Sequence, residues 1–94
     1  MAKYSYHQLD ANAKAIRKGL EAVGATVDAR CPLDWLVGFR GANYLLEVKT
    51  AKGKLRPTQE RFLVRWKGQA AVVRTSDDAL TAIGAIPGPS FTKY

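Results

Sequence analysis

Apolar residues recur at helical spacing near the start of the chain and at alternating spacing in its middle, and this change of period divides the chain into elements. Ala13, Ile16, Leu20 and Val23 lie three or four residues apart, with Lys14, Arg17, Lys18 and Glu21 facing elsewhere. That pattern predicts an amphipathic helix with Asp10 as its N-cap and Gly24 as its stop. Residues 26–30 read as a short strand ended by Pro32. Two apolar runs follow, residues 34–40 and 43–49, and the glycine-containing turn between them predicts a β-hairpin. Alternation along the second run puts Leu45, Glu47 and Lys49 on one face and Tyr44, Leu46 and Val48 on the other.

A polar loop spans residues 50–56, and Pro57 with Thr58 opens a second helix that runs to Trp66. Its apolar side carries Phe62, Leu63 and Trp66, and Gln59 lies one turn earlier on the same side. Gly68 closes this helix, residues 70–74 form a strand, and Ser76 with Asp77 and Asp78 caps a last helix reaching about Ile83. The predicted order is αβββαβα, an α/β domain over residues 1–84. Residues 85–94, with Pro87 and Pro89 and no periodicity, are expected to form an extended or mobile tail.

A chain of 94 residues supports one compact domain with a modest core. At that size a partner subunit would help cover apolar surface, so a homodimer is a natural expectation. With Cys31 as the one cysteine, no intramolecular disulfide can form and no zinc cluster is in view, which suits a reducing cytoplasm. No apolar stretch approaches the roughly 20 residues of a membrane span, and the N-terminal residues lack a signal-peptide core, so a soluble intracellular protein is expected.

The formal charge of +7 is unevenly placed. Residues 47–74 carry eight Lys or Arg against two Asp or Glu, whereas residues 1–46 carry six against four. Lys49, Lys52, Lys54, Arg56, Arg61, Arg65, Lys67 and Arg74 together make a footprint for a polyanion such as nucleic acid, although a basic segment by itself also serves solubility.

The hairpin carries the candidate chemistry. A two-residue turn at Arg40 and Gly41 sets Asp34 opposite Glu47, and a turn at Gly41 and Ala42 sets it opposite Lys49. Either choice gathers Asp34, Glu47 and Lys49 on one face, whereas a three-residue turn sends Asp34 to the other face unless it lies just before the strand. Two carboxylates beside a lysine suit phosphodiester hydrolysis, because a hard divalent cation takes oxygen ligands and keeps water for the reaction. Asp34 and Glu47 are the ligands expected, the backbone carbonyl of Val48 a third, and Lys49 the group to orient water or stabilise charge on the phosphate. Lys52, Lys54 and Arg56 follow directly and could hold a DNA backbone beside the site. The competing reading makes Glu47 and Lys49 ordinary solvent-facing residues of a strand. Trp35 and Trp66 are expected in the core, Cys31 as a small, partly buried residue, and His7 as a surface residue without a role.

The stretch DWLVGFRGANYLLEVK at residues 34–49, followed by GKLRPTQ at residues 53–59, resembles the PD-(D/E)XK nuclease superfamily, and most of all its small phage-type VRR-NUC nucleases. The resemblance covers about residues 10–82. It implies a restriction-endonuclease-like αβββαβ core, a mixed sheet flanked by helices, and a deoxyribonuclease that uses Mg2+ or Mn2+. By it, Asp34 matches the motif aspartate, Glu47 and Lys49 match the E-x-K pair, and Gln59 matches a recurring glutamine on the following helix. It further implies a DNA partner that is branched or otherwise structured, four-way junctions included, a homodimer, and a bacterial or phage-infected cell, and Arg61 joins Lys52, Lys54 and Arg56 as a candidate DNA contact on its charge. Two departures stand out. Leu33 separates Pro32 from Asp34, where the family commonly has the proline adjacent. The acidic residue that relatives often carry on the first helix has Asp10 and Asn12 as its nearest candidates here, with Glu21 weaker and Asp10 better read as an N-cap.

Overall fold

The computed structural model describes the backbone of residues 3–10 and all atoms of residues 11–30 and 32–87. The elements are α1 (Lys3–Ala22), β1 (Thr26–Asp28), β2 (Trp35–Phe39), β3 (Ala42–Val48), α2 (Pro57–Arg65), β4 (Ala70–Val73) and α3 (Ser76–Ala82). This is the αβββαβα order expected. The strands form one mixed sheet in the order β1-β2-β3-β4, antiparallel through the first three and parallel between β3 and β4. Parallel neighbours need a crossover, and α2 supplies it.

The helices divide between the two faces of the sheet. Ile16 and Leu20 of α1 and Ala79 and Ile83 of the α3 region pack with Trp35, Val37, Phe39, Leu46, Val48, Ala71 and Val73 in the larger core. Beneath α2 on the other face lies a smaller cluster of Leu33, Leu45 and Leu63, flanked by Leu55, Phe62, Ala70 and Val72. α1 approaches α3 at Gly19, where a Cβ would come into ordinary contact with the Ser76 side chain at 3.4 Å. Ser76 Oγ also donates to the Ala15 carbonyl at 3.3 Å.

Several local expectations are corrected. The first helix begins at Lys3, so Asp10 lies within it and is not its N-cap. Residues 3–9 contain no glycine or proline to stop a helix, and aspartate costs little in an interior turn. Thr75, not Ser76, caps α3, accepting a hydrogen bond from the Asp78 backbone N–H at 3.0 Å. β1 ends at Asp28 because that carboxylate accepts from the Arg30 backbone N–H at 2.8 Å and turns the chain away. Trp66 is 38 % exposed, not buried. The helix stops at Arg65 and Trp66 is extended, with ψ at 125°, which takes its indole out of the buried row.

The β2-β3 turn is made by Arg40 and Gly41, which pairs Phe39 with Ala42. Both turn residues have positive φ, 50° for Arg40 and 80° for Gly41, as a tight two-residue hairpin of this hand requires. Arg40 is a costly residue at that angle, and its guanidinium lies 4.7 Å from the centroid of the Phe39 ring. Cys31, the side chains of His7 and Asp10, and residues 88–94 of the expected tail lie outside the described residues. Ala85, at the start of that tail, packs against the larger core.

Candidate active site

The turn register decides which residues meet. Trp35 pairs with Leu46, so Asp34, one residue before β2, lies at the level of Glu47. Leu33 is buried in the smaller core and fixes the segment that leads into Asp34. Asp34 Oδ2 accepts the Val48 backbone N–H at 2.7 Å, in the place where another strand residue would have bonded. The carbonyl of a strand residue leaves on the same side as its N–H, so the Val48 carbonyl also faces the Asp34 side of β3. Lys49 instead turns its N–H to β4, donating to the Val73 carbonyl at 3.0 Å.

Glu47 is 3 % exposed, the buried charged residue among the described ones. Its Oε2 accepts from Gln59 Nε2 at 2.7 Å and lies 3.4 Å from Lys49 Nζ. Burial raises the pKa of Glu47 above the ordinary value, and the neighbouring Asp34 charge raises it further, while Lys49 opposes both. The Gln59 and Lys49 contacts of Glu47 use Oε2, the Asp34 contact with Val48 uses Oδ2, and the two carboxylates also meet each other.

Gln59 works from both ends of its amide. As it donates to Glu47, its Oε1 accepts the Arg56 backbone N–H at 2.8 Å, which closes the first turn of α2. The start of the helix and the rotamer of Glu47 are thereby set by one side chain.

The loop after Lys49 is held from β4 and α1. Arg74 Nη1 donates to the Thr50 carbonyl at 2.7 Å and the Gly53 carbonyl at 2.6 Å. Asn12 Nδ2 donates to the Lys49 carbonyl at 2.9 Å and the Arg74 carbonyl at 3.3 Å. Asn12 therefore reaches the site, as a clamp on the backbone of Lys49. Arg74, counted in the expected basic footprint, ties its Nη1 to that loop. Sequence offered no signal for this beyond its place at the end of a strand. Glu21 sits elsewhere, paired with Arg17 at 3.2 Å on the exposed side of α1.

Comparison of the chain with known protein families, with curated proteins and with solved structures finds no match. What the site can do must be read from its own geometry.

The donor set fits a hard divalent cation. Burial first and the neighbouring Asp34 second raise the pKa of Glu47, and a cation between the two carboxylates would offset both. Among the described residues no three His, Cys, Asp or Glu side chains converge. An ion here would take Asp34, Glu47 and the Val48 carbonyl and complete its shell with water, a ligand set that magnesium accepts and zinc does not favour. Lys52, Lys54, Arg56 and Arg61 are all exposed, the first three on the loop between β3 and α2 and the last on the outer side of α2. No described helix is long and apolar enough to cross a membrane.

Proposed function

We propose that this chain is a Mg2+- or Mn2+-dependent DNA endonuclease of the PD-(D/E)XK kind that hydrolyses phosphodiester bonds in branched or structured DNA. One observation carries the reading: a buried glutamate and an aspartate from adjoining segments share one spot, with a lysine and a glutamine on the glutamate. An ordinary exposed pair on a strand would give none of the burial, and a merely structural ion pair would not need a second carboxylate.

In this reading Asp34, Glu47 and the Val48 carbonyl hold the cation. When bound, magnesium or manganese supplies Lewis-acid stabilisation to the phosphate and makes a hydrolytic water more acidic. Lys49, tethered to Glu47, presents an ammonium to the phosphate oxygens and orients water toward phosphorus. Gln59 is a positioning residue that holds the Glu47 carboxylate in one rotamer. Lys52, Lys54, Arg56 and Arg61 neutralise backbone phosphates on the approach to the site. A homodimer would bring two such sites to two strands, and the protein would act in the cytoplasm of a bacterial or phage-infected cell.

The test is cleavage of a labelled four-way junction, flap, duplex and single strand with magnesium, manganese or chelator. Wild type should cut with metal alone. Glu47→Ala should lower the rate about a thousandfold, as should Lys49→Ala, with DNA binding retained. Binding that resists chelator, without cutting under either metal, would replace this reading with a non-catalytic DNA-binding module.

A further inference from the structure

Beyond the carboxylates, α2 carries a second feature that the cleavage chemistry leaves unused. Trp66 lies just past its C-terminus, 38 % exposed, with its indole stacked on Phe62 at 5.2 Å between centroids and 21° between planes. Gly68 comes so close to the indole that an added Cβ would lie 2.8 Å from Nε1, so the chain is folded against the ring edge. Arg65 reaches toward the Phe62 ring from 5.8 Å. The aromatic pair is thus braced from two sides, and Trp66 still keeps 38 % of its surface in solvent.

Its surroundings are basic. Arg65 and Lys67, its neighbours in the chain, are exposed, and a shallow groove on the outer side of α2 is lined by Pro57, Thr58, Glu60, Arg61, Val64 and Arg65. Val64, at 65 % exposure, adds apolar floor to this groove. From Gln59 to Trp66 is seven residues, about 10 Å at helical rise, or on the order of three base steps. The glutamine that holds Glu47 and the exposed ring thus lie about two turns apart along α2, with Arg65 and Lys67 exposed next to the ring.

We infer that Trp66, with Arg65 and Lys67, is a stacking platform for an unpaired base of DNA. This rests on the nuclease reading for its context and specifies the substrate: DNA with a single-stranded segment adjoining the cut. The choice of occupant follows from the charge. A second copy of this chain on the same patch would bring Arg61, Arg65 and Lys67 against their own kind, which opposes association. A fully paired duplex presents its base faces to one another, so it would use the lysines and arginines and leave the ring idle. A single strand offers both phosphates and open base faces, the two features that such grooves recognise.

The experiment measures binding of the full chain in chelator, which separates it from cleavage. The probes are a blunt duplex and the same duplex with a short oligothymidine tail. Trp66→Ala should weaken binding of the tailed DNA about ten- to a hundredfold and change the blunt duplex less than twofold. Trp66→Phe should recover most of the loss, and thermal melting should show that both variants remain folded. Wild-type tryptophan emission should be quenched by the tail and not by the blunt duplex. Equal weakening on both probes, or no weakening on either, overturns the platform. If the tail effect holds but no metal supports cutting, the nuclease reading fails and the platform stands. Cutting that ignores Trp66 on tailed DNA leaves the nuclease and removes the platform.

Discussion

On one face of the sheet, Val37, Leu46 and Val73 are fully buried under α1 and α3. On the other, α2 covers a cluster built on Leu33, Leu45 and Leu63, and the same face carries Glu47 and Lys49. Leu46 and Glu47 are neighbours in sequence and both are buried, yet one contributes to an apolar core and the other sets a carboxylate against Gln59 and Lys49. The large face accounts for most of the hydrophobic stabilisation. The small face gives some of it up to a buried glutamate that meets Gln59 and Lys49 beside Asp34.

This contrast can be broken by substitution. Leu46→Ala should cost about 2–5 kcal/mol in urea unfolding, whereas Leu45→Ala on the thin face should fall near the bottom of that range, about 2 kcal/mol. An equal or reversed order would mean that the two faces are not unequal partners in stability. A smaller effect is expected at Gln59. Gln59→Ala frees the Glu47 carboxylate and the start of α2 together, and should lower Mn2+ affinity about ten- to a hundredfold in calorimetry. Unchanged affinity would confine this glutamine to capping the helix.

The finest effect concerns pH in the absence of metal. The pKa of Glu47 is higher in the folded chain than its ordinary 4.5, first because of burial and then because of Asp34. The folded state therefore holds the proton longer than the unfolded one. The stability linked to that proton is present below 4.5 and is lost as pH rises through the raised value. Glu47→Gln lacks this loss, so its stability relative to wild type should grow as pH rises above 4.5 and then level off. Denaturant midpoints for the two proteins that stay parallel across this range would remove the strain from the site.

The alternation of residues 43–49 was sufficient to put Glu47 and Lys49 on one face, because side chains on a strand have a fixed period of two. Helical spacing likewise gave α1 its buried row of Ile16 and Leu20, and Pro57 marked the start of α2. These features depend on neighbours along the chain, and so they were legible in it. The turn register was open between two choices in the sequence, and folding selected Arg40 with Gly41. Asp34 reached the site through a backbone N–H on another strand, and Arg74 and Asn12 were recruited to carbonyls 21 to 62 residues away. Trp66 kept its helical place in the pattern but lost its helical backbone, and with it the burial that spacing implied. Periodicity fixes which face a residue takes within its own element. Which elements then share a carbonyl, a carboxylate or a ring depends on how the layers pack, and that is decided by distances the one-dimensional chain does not contain.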